Sequence, residues 1–318
     1  MRVLLWHVHG AWTTSVAHGP HDVVVPVLPD RGPDGRGRAR TYAWPERVLE
    51  LPPEQLADEP FDVVVLQRPH ERELAERWLG GRRPGVDVPA LYVEHNAPQG
   101  RIDELRHPAA DWGIPIVHVT RFNRLLWDCG SAPTHVLEHG IPDPGARYTG
   151  ELPRAAVVIN EARRRGRVTG TDLLLELRER GLPIDLFGID SEALGGVGDL
   201  PHATLHRELA RRRVYLHLNR WTSLGLSLIE AMQLGMPVIA LSTTEAPEAI
   251  PPDVALVTND LDRIAWTCQR LLEDRGAAAT AGARCREHAL ARFGLERFHA
   301  DWSALLREVV AEAPAATR

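Results

Sequence analysis

The run Thr222-Ser-Leu-Gly-Leu-Ser-Leu-Ile-Glu-Ala-Met-Gln-Leu-Gly-Met-Pro-Val-Ile-Ala-Leu241 constrains the fold more than any other stretch of the chain. It reads as a loop, a helix, a glycine stop and a strand. Gly225 lets backbone come close to a ligand, since it carries no Cβ. The helix after it offers unpaired N–H groups and a partial positive charge at its start, a ready site for a diphosphate. Glu230 lies about one turn inside that helix, where its carboxylate can accept two neighbouring hydroxyls. Gly235 suits the helix C-cap, and Pro237 cannot continue a helix. Val238 to Leu241 then reads as a strand buried on both faces, which belongs in a parallel sheet.

Such alternation of apolar runs and helical patterns fills the chain and predicts an α/β fold. Expected strands in the first half are Val3–His7, Val23–Val27, Val63–Leu66, Ala90–Glu94, Ile116–Val119 and His135–Glu138. The Gly-, Pro- and Arg-rich stretch from Asp30 to Ala39 reads as a mobile loop. The alternation restarts with strands Ala155–Ile159, Ile184–Phe187, Val214–Leu218 and Val254–Val257. Helices are expected over Thr171–Arg180, around Leu205–Arg211, and over Leu261–Leu272, Ala277–Ala291 and Leu295–Ala311. Pro and Gly cluster between Asp143 and Pro153, at the boundary of two domains.

At 318 residues there is room for both. A net charge of −6 argues against a general nucleic-acid binder. The chain has no lysine, which excludes Schiff-base and P-loop-lysine chemistry and leaves phosphate recognition to arginine. Cys129, Cys268 and Cys285 show neither metal-ligand spacing nor a disulfide framework. The apolar run at Met1 is too short for a signal peptide, and no stretch has the length of a membrane span. A cytoplasmic protein is expected, with peripheral membrane contact left open.

The Thr222–Leu241 run resembles the donor-binding motif of family 4 glycosyltransferases, the group 1 enzymes of GT-B fold. Leu224-Gly225-Leu226 stands for the family's Phe-Gly-Leu and Glu230 for its second Glu, while Thr222 occupies the place of the first Glu. Further similar segments follow in the family's order. They are Tyr92-Val-Glu-His95, Val117-His-Val-Thr-Arg-Phe122, Val136-Leu-Glu-His-Gly-Ile-Pro-Asp143, Thr169-Gly-Thr-Asp-Leu-Leu174, Gly188-Ile-Asp190 and Ala291-Arg-Phe293. Before residue 90 the likeness is weak. Gly10-Ala-Trp-Thr-Thr-Ser15 replaces the usual Gly-Gly loop, so the first domain is abridged.

The resemblance implies two Rossmann-like domains facing a cleft. Residues 1–148 form the acceptor side, 149–298 bind a nucleotide-diphosphate sugar, and the helix 299–318 returns to the first domain. It implies hexosyl transfer without a metal or other cofactor and with retention of configuration. The acceptor is a small molecule, a glycan or a lipid-linked compound. Donor contacts fall on Thr222, Ser223, Gly225, Leu226, Glu230, Thr169 and Gly188, the last of which either lines the pocket or turns the chain. Thr169 stands where the family has a phosphate-binding lysine, and Arg164 and Arg167 are favoured over Arg163 and Arg165 as its replacement. The alternative is a solvated basic loop. His95, ending its strand, is implied near the transferred sugar as the catalytic residue. His9, Gly10, Trp12 and Thr13 read as a loop offering hydroxyls and a ring to a sugar. The alternation of His7 and His9 is not assigned to a metal. Because Thr222 and Thr169 each replace a charged family residue, a catalytically silent sugar-nucleotide-binding or partner protein is the alternative function. An epimerase on the same fold is a third.

Overall fold

A computed structural model describes residues 1–313. The chain divides into two units, Met1–Ile141 together with the chain from Leu295, and Pro142–Gly294. Strands of the first unit are β1 (Arg2–Leu5), β2 (Asp22–Pro26), β3 (Leu49–Leu51), β4 (Val63–Leu66), β5 (Ala90–Glu94), β6 (Ile116–His118) and β7 (Thr134–Val136). The second unit contains β8 (Leu152–Val158), β9 (Ile184–Phe187), β10 (Arg212–His217), β11 (Val238–Ala240) and β12 (Leu256–Val257). Helices α1 (Gly10–Ala17), α2 (Pro53–Leu56), α3 (Glu71–Trp78) and α4 (Arg121–Leu126) lie in the first unit. The second has α5 (Ala162–Arg165), α6 (Thr171–Glu179), α7 (His202–Arg211), α8 (Leu226–Leu234), α9 (Ala246–Ala249), α10 (Leu261–Glu273) and α11 (Arg275–Phe293). The final helix is α12 (Leu295–Glu312); residues 314–318 of the expected 299–318 helix lie outside the described residues.

Both sheets are wholly parallel, in the orders β3-β2-β1-β4-β5-β6-β7 and β12-β11-β10-β8-β9. The strand period of two sorts the first sheet's side chains onto two cores. Val3, Leu5, Val23, Val25, Val63, Val65, Leu91 and Val93 enter one. Leu4, Val24, Val64, Leu66, Ala90, Tyr92 and Ile116 enter the other. Helix α12 closes the first of these with Phe298, Trp302, Leu305, Leu306 and Val309, so the end of the chain is part of the first unit's core. In the second sheet Ala155, Val157, Ile184, Leu186, Val214, Leu216 and Ile239 face the helices α6 and α10 through Leu174, Leu177, Ile264 and Cys268.

Three local expectations change. The edge strand β3 was not anticipated, because Leu-Glu-Leu is too short and too exposed to give an apolar run. The Asp30–Ala39 loop, expected to be mobile, is tied down by Glu50 on β3, which accepts from Arg31 and from the Arg38 backbone N–H at 2.8 Å. Gly10–Ala17 is not a loop but a two-turn helix. All three cysteines are buried free thiols. Among the described residues no helix is long and apolar enough to cross a membrane.

Candidate functional site

Open parallel sheets bind ligands at the carboxyl ends of their strands, where the strand order reverses. In the second sheet that point lies between β8 and β10. Backbone segments approach one another there more closely than any side chain would allow. A Cβ on Gly170 would lie 2.0 Å from the Leu218 carbonyl oxygen, and one on Gly188 2.4 Å from that of Ile159. A Cβ on Gly225 would meet the His217 ring at 2.7 Å. Gly188 therefore turns the chain beside β8 with φ +118.

Helix α8 starts at Leu226 directly after Gly225, and no side chain caps it. Its first-turn N–H groups point out of the helix end. Ser223 is buried and Thr222 half-buried, and the Thr222 hydroxyl has no hydrogen-bond partner among the described residues. Tyr215, within β10, donates to the Ser227 hydroxyl at 2.9 Å and steadies the first turn. Thr169 is buried, with its hydroxyl on the Gly166 carbonyl at 3.4 Å.

Glu230 is buried, and both its carboxylate oxygens are engaged. His202 Nε2 lies 2.9 Å from Oε1 in a hydrogen bond, while His206 Nε2 lies 3.5 Å from Oε2 without making one. Burial works to raise the Glu230 pKa, but the contacts with His202 and His206 outweigh it and hold it at about 2. The same hydrogen bond raises the pKa of His202.

The arginines depart from expectation. Arg164 and Arg167 do not turn inward: they are exposed and paired with Glu161 and Asp172. The short helix α5 sets Arg164 three residues after Glu161 on the same outer face. Arg165, one residue on, is rotated away and half-buried. Burial lowers its pKa, and it makes no hydrogen bond or ion pair through its guanidinium among the described residues. Arg220, after β10, grips Asp172 through both nitrogens at 2.5 and 2.9 Å.

In the first sheet the order reverses between β1 and β4. His9 follows β1 and His95 follows β5, and their rings meet at 4.0 Å. The Gln67 amide donates to the Trp6 carbonyl at 2.8 Å, which turns its oxygen toward His95 Nε2 at 3.0 Å. His95 therefore carries its proton on Nε2, leaving Nδ1 as the basic nitrogen of a neutral ring. Burial, then the neighbouring His9 and His139, push its pKa well below the usual range. Glu71, fully buried on α3, accepts from the Gln67 and Arg68 backbone N–H groups at 2.6 and 3.2 Å and holds this loop. Trp12 and Thr13 do not face a sugar as expected. They lie in α1, fully buried, with Trp12 packed edge-on against Trp302 and His95. Gly10 begins that helix against the Tyr42 ring.

Several buried histidines stay neutral, which sets a pH response. Burial lowers His9 and His217 to about 4 and His118 and His139 to about 3. An unfolded histidine takes its proton near pH 6.5, before these folded ones do. Their stabilisation is thus present above pH 6.5 and lost as pH falls toward 4. His202, raised, works the other way but is one group against these four and the lowered His7, His21 and His95. The melting temperature should fall steadily from pH 7 to 4.5; a rise over that range would contradict these burials.

Sequence reading passed over His202 and His206. The expected helix began near Leu205, so the i, i+4 relation that brings both imidazoles to Glu230 was hidden. Gln67 and Glu71 gave no signal at all, since only the sheet brings them to His95.

Two parallel α/β units of this order, each with its polar groups at the carboxyl edge, define a GT-B-fold protein. Residues 193–289 match the family model described as glycosyl transferases group 1. Sucrose-phosphate synthase from Thermosynechococcus elongatus superposes with a TM-score of 0.69 at 14% identity, over 98% of this chain and 99% of that one. Anabaena HepE in complex with UDP gives 0.71 at 14% identity, over 97% and 100%; the same protein in complex with UDP-glucose gives 0.68. A glycosyltransferase from Rickettsia africae gives 0.69 at 12% identity, over 98% of each chain. The fold is that of these GT-B structures, and the matched segment, residues 193–289, is similar to the group 1 glycosyltransferases. No curated protein matches its sequence.

Proposed function

We propose that the protein transfers a hexosyl group from a UDP-sugar to a small-molecule, glycan or lipid-linked acceptor, with retention of configuration. The observation that carries this reading is the uncapped start of α8 behind Gly225, with the ionised, buried Glu230 one turn inside. The diphosphate binds the α8 N–H groups, with Arg165, half-buried and without an ion pair among the described residues, as its cation, and Glu230 accepts the ribose hydroxyls. Thr222, Ser223 and Leu226 line the sugar, and Thr169 and Gly188 shape the floor. HepE, solved with UDP and UDP-glucose, supports uracil as the base. In this scheme residues 149–298 hold the donor, and residues 1–148 with the final helix hold the acceptor near His9 and His95. The leaving diphosphate takes the acceptor's proton on the same face of the sugar. The protein contributes fixed donors to the charge growing on that phosphate. Neutral His95 donates or accepts a hydrogen bond beside the sugar and needs no charge.

Arg164 and Arg167, bound to acids and facing solvent, favour a second reading, that of a chain which binds a sugar nucleotide without turnover. Thermal unfolding against UDP, GDP, ADP, dTDP and their sugar conjugates tests both. UDP at a hundred times its dissociation constant should add about 2.7 kcal/mol of stability. Absence of any shift would overturn donor binding altogether, and a UDP shift without transfer to any acceptor would favour the silent protein.

A further inference from the structure

We propose that His202, His206 and Glu230 form a binding site for a transition-metal dication of zinc's class. The two histidines occupy positions i and i+4 of α7, which puts both imidazoles on one face of the helix. Their ring centroids are 4.0 Å apart, with the planes inclined by 56°. The facing helix α8 supplies the Glu230 carboxylate, and one donor atom from each residue lies within 4.8 Å of the other two. Zinc binds imidazole nitrogen and carboxylate oxygen at about 2.0–2.2 Å, so tetrahedral neighbours stand about 3.3 Å apart. His202 Nε2 lies 2.9 Å from Glu230 Oε1 and His206 Nε2 3.5 Å from Oε2, so each imidazole stands close to that spacing from one carboxylate oxygen. Small rotations would therefore seat an ion without moving either helix.

The chemistry of the set selects the ion. Two imidazoles and one carboxylate suit zinc, nickel or copper, whereas magnesium and calcium prefer oxygen alone. His206 and Glu230 are buried, while the His202 side chain is 35% exposed and provides the path of entry. Three protein ligands leave a fourth position open to water. Binding releases any proton held on the two Nε2 atoms and replaces their contacts with Glu230 by metal bonds.

The site has a consequence that rests on the donor assignment made above. The same Glu230 carboxylate serves the ribose in that scheme, so metal occupancy and nucleotide binding exclude one another. This chain's own residues would thus make a metal-operated block on its donor site.

Titration of the full-length, nucleotide-free protein with Zn2+ against a chromophoric chelator tests the site, with Co2+ and its visible d–d bands reporting the ligand geometry. One ion per chain is expected, with tetrahedral cobalt bands. The variants His202→Ala and His206→Ala should each lose more affinity than the roughly 10–100-fold that loss of an outer-shell partner costs. Their melting curves and circular dichroism check that the fold is kept. The more exposed His202 provides the safer variant should His206→Ala unfold. No binding by the wild type, or equal binding by a folded His202→Ala protein, would overturn the site. UDP titrations with and without saturating Zn2+ test the exclusion. A tenfold or greater loss of UDP affinity in zinc is expected, and an unchanged affinity would overturn the block. If UDP fails to bind even without zinc, the donor assignment falls, and the metal site stands or falls on the first titration.

Discussion

Replacing Glu230 with alanine is expected to raise the dissociation constant for the nucleotide tenfold or more, a loss of about 1.4 kcal/mol or greater. The carboxylate is buried and ionised on α8, held by His202 and His206. A group so placed reaches two adjacent hydroxyls as an acceptor without first being desolvated or ordered, because folding has already done both. Alanine removes the acceptor and leaves two imidazoles facing a cavity, so some stability is lost as well. Glu230→Gln separates the two effects. It keeps the volume and one acceptor oxygen but removes the charge, and it should keep most of the melting temperature while still weakening the nucleotide. Isothermal titration with UDP beside thermal unfolding reads both quantities. An unchanged dissociation constant in a folded Glu230→Ala protein would remove Glu230 from the donor site.

Gly170→Ala is expected to destabilise the second unit by about 3 kcal/mol or more and to abolish nucleotide binding with it. Two penalties coincide at this residue. Its φ of +74 is a left-handed conformation that side chains resist, and its Cβ would stand 2.0 Å from the Leu218 carbonyl oxygen. Backbone cannot yield as a flexible side chain can. The loop after β10 is bonded to the same segment through the Arg220 and Trp221 N–H groups on the Val168 carbonyl, at 2.9 and 3.1 Å. The Asp172–Arg220 pair spans the same junction. Pushing Gly170 away would open the very point where β8 and β10 diverge and carry Thr169 and Arg165 out of place. Urea denaturation reads the loss as a lower midpoint. An unfolding free energy within about 0.5 kcal/mol of wild type would mean that the close approach is not needed.

The GT-B architecture was legible because parallel strands buried on both faces must be continuously apolar. Val63–Leu66 and Ala90–Glu94 lie where they were expected, and Ile184–Phe187 likewise. The run from Gly225 to Pro237 carried its helix, its glycine stop and the next strand in its local chemistry alone. Glycines at close approaches are likewise written into the chain, since only they fit there. Local sequence also determined that Glu230 would lie inside a helix and Thr169 would precede one.

Only the tertiary structure decided what those groups meet. Which arginine pairs with an acid at the surface depends on the three-residue offset of Arg164 from Glu161 at the start of a four-residue helix, and that helix was not readable. The partners of Glu230 come from a separate helix, twenty-eight and twenty-four positions upstream, and no local pattern ties them to it. Trp12 looked like a ring held out to a sugar until α12 supplied Trp302 to bury it. Periodicity and turn chemistry act over a few residues, so the sequence could declare its elements. The charge state and reach of each side chain follow from desolvation and from neighbours distant in the chain, which exist only once the sheets have assembled.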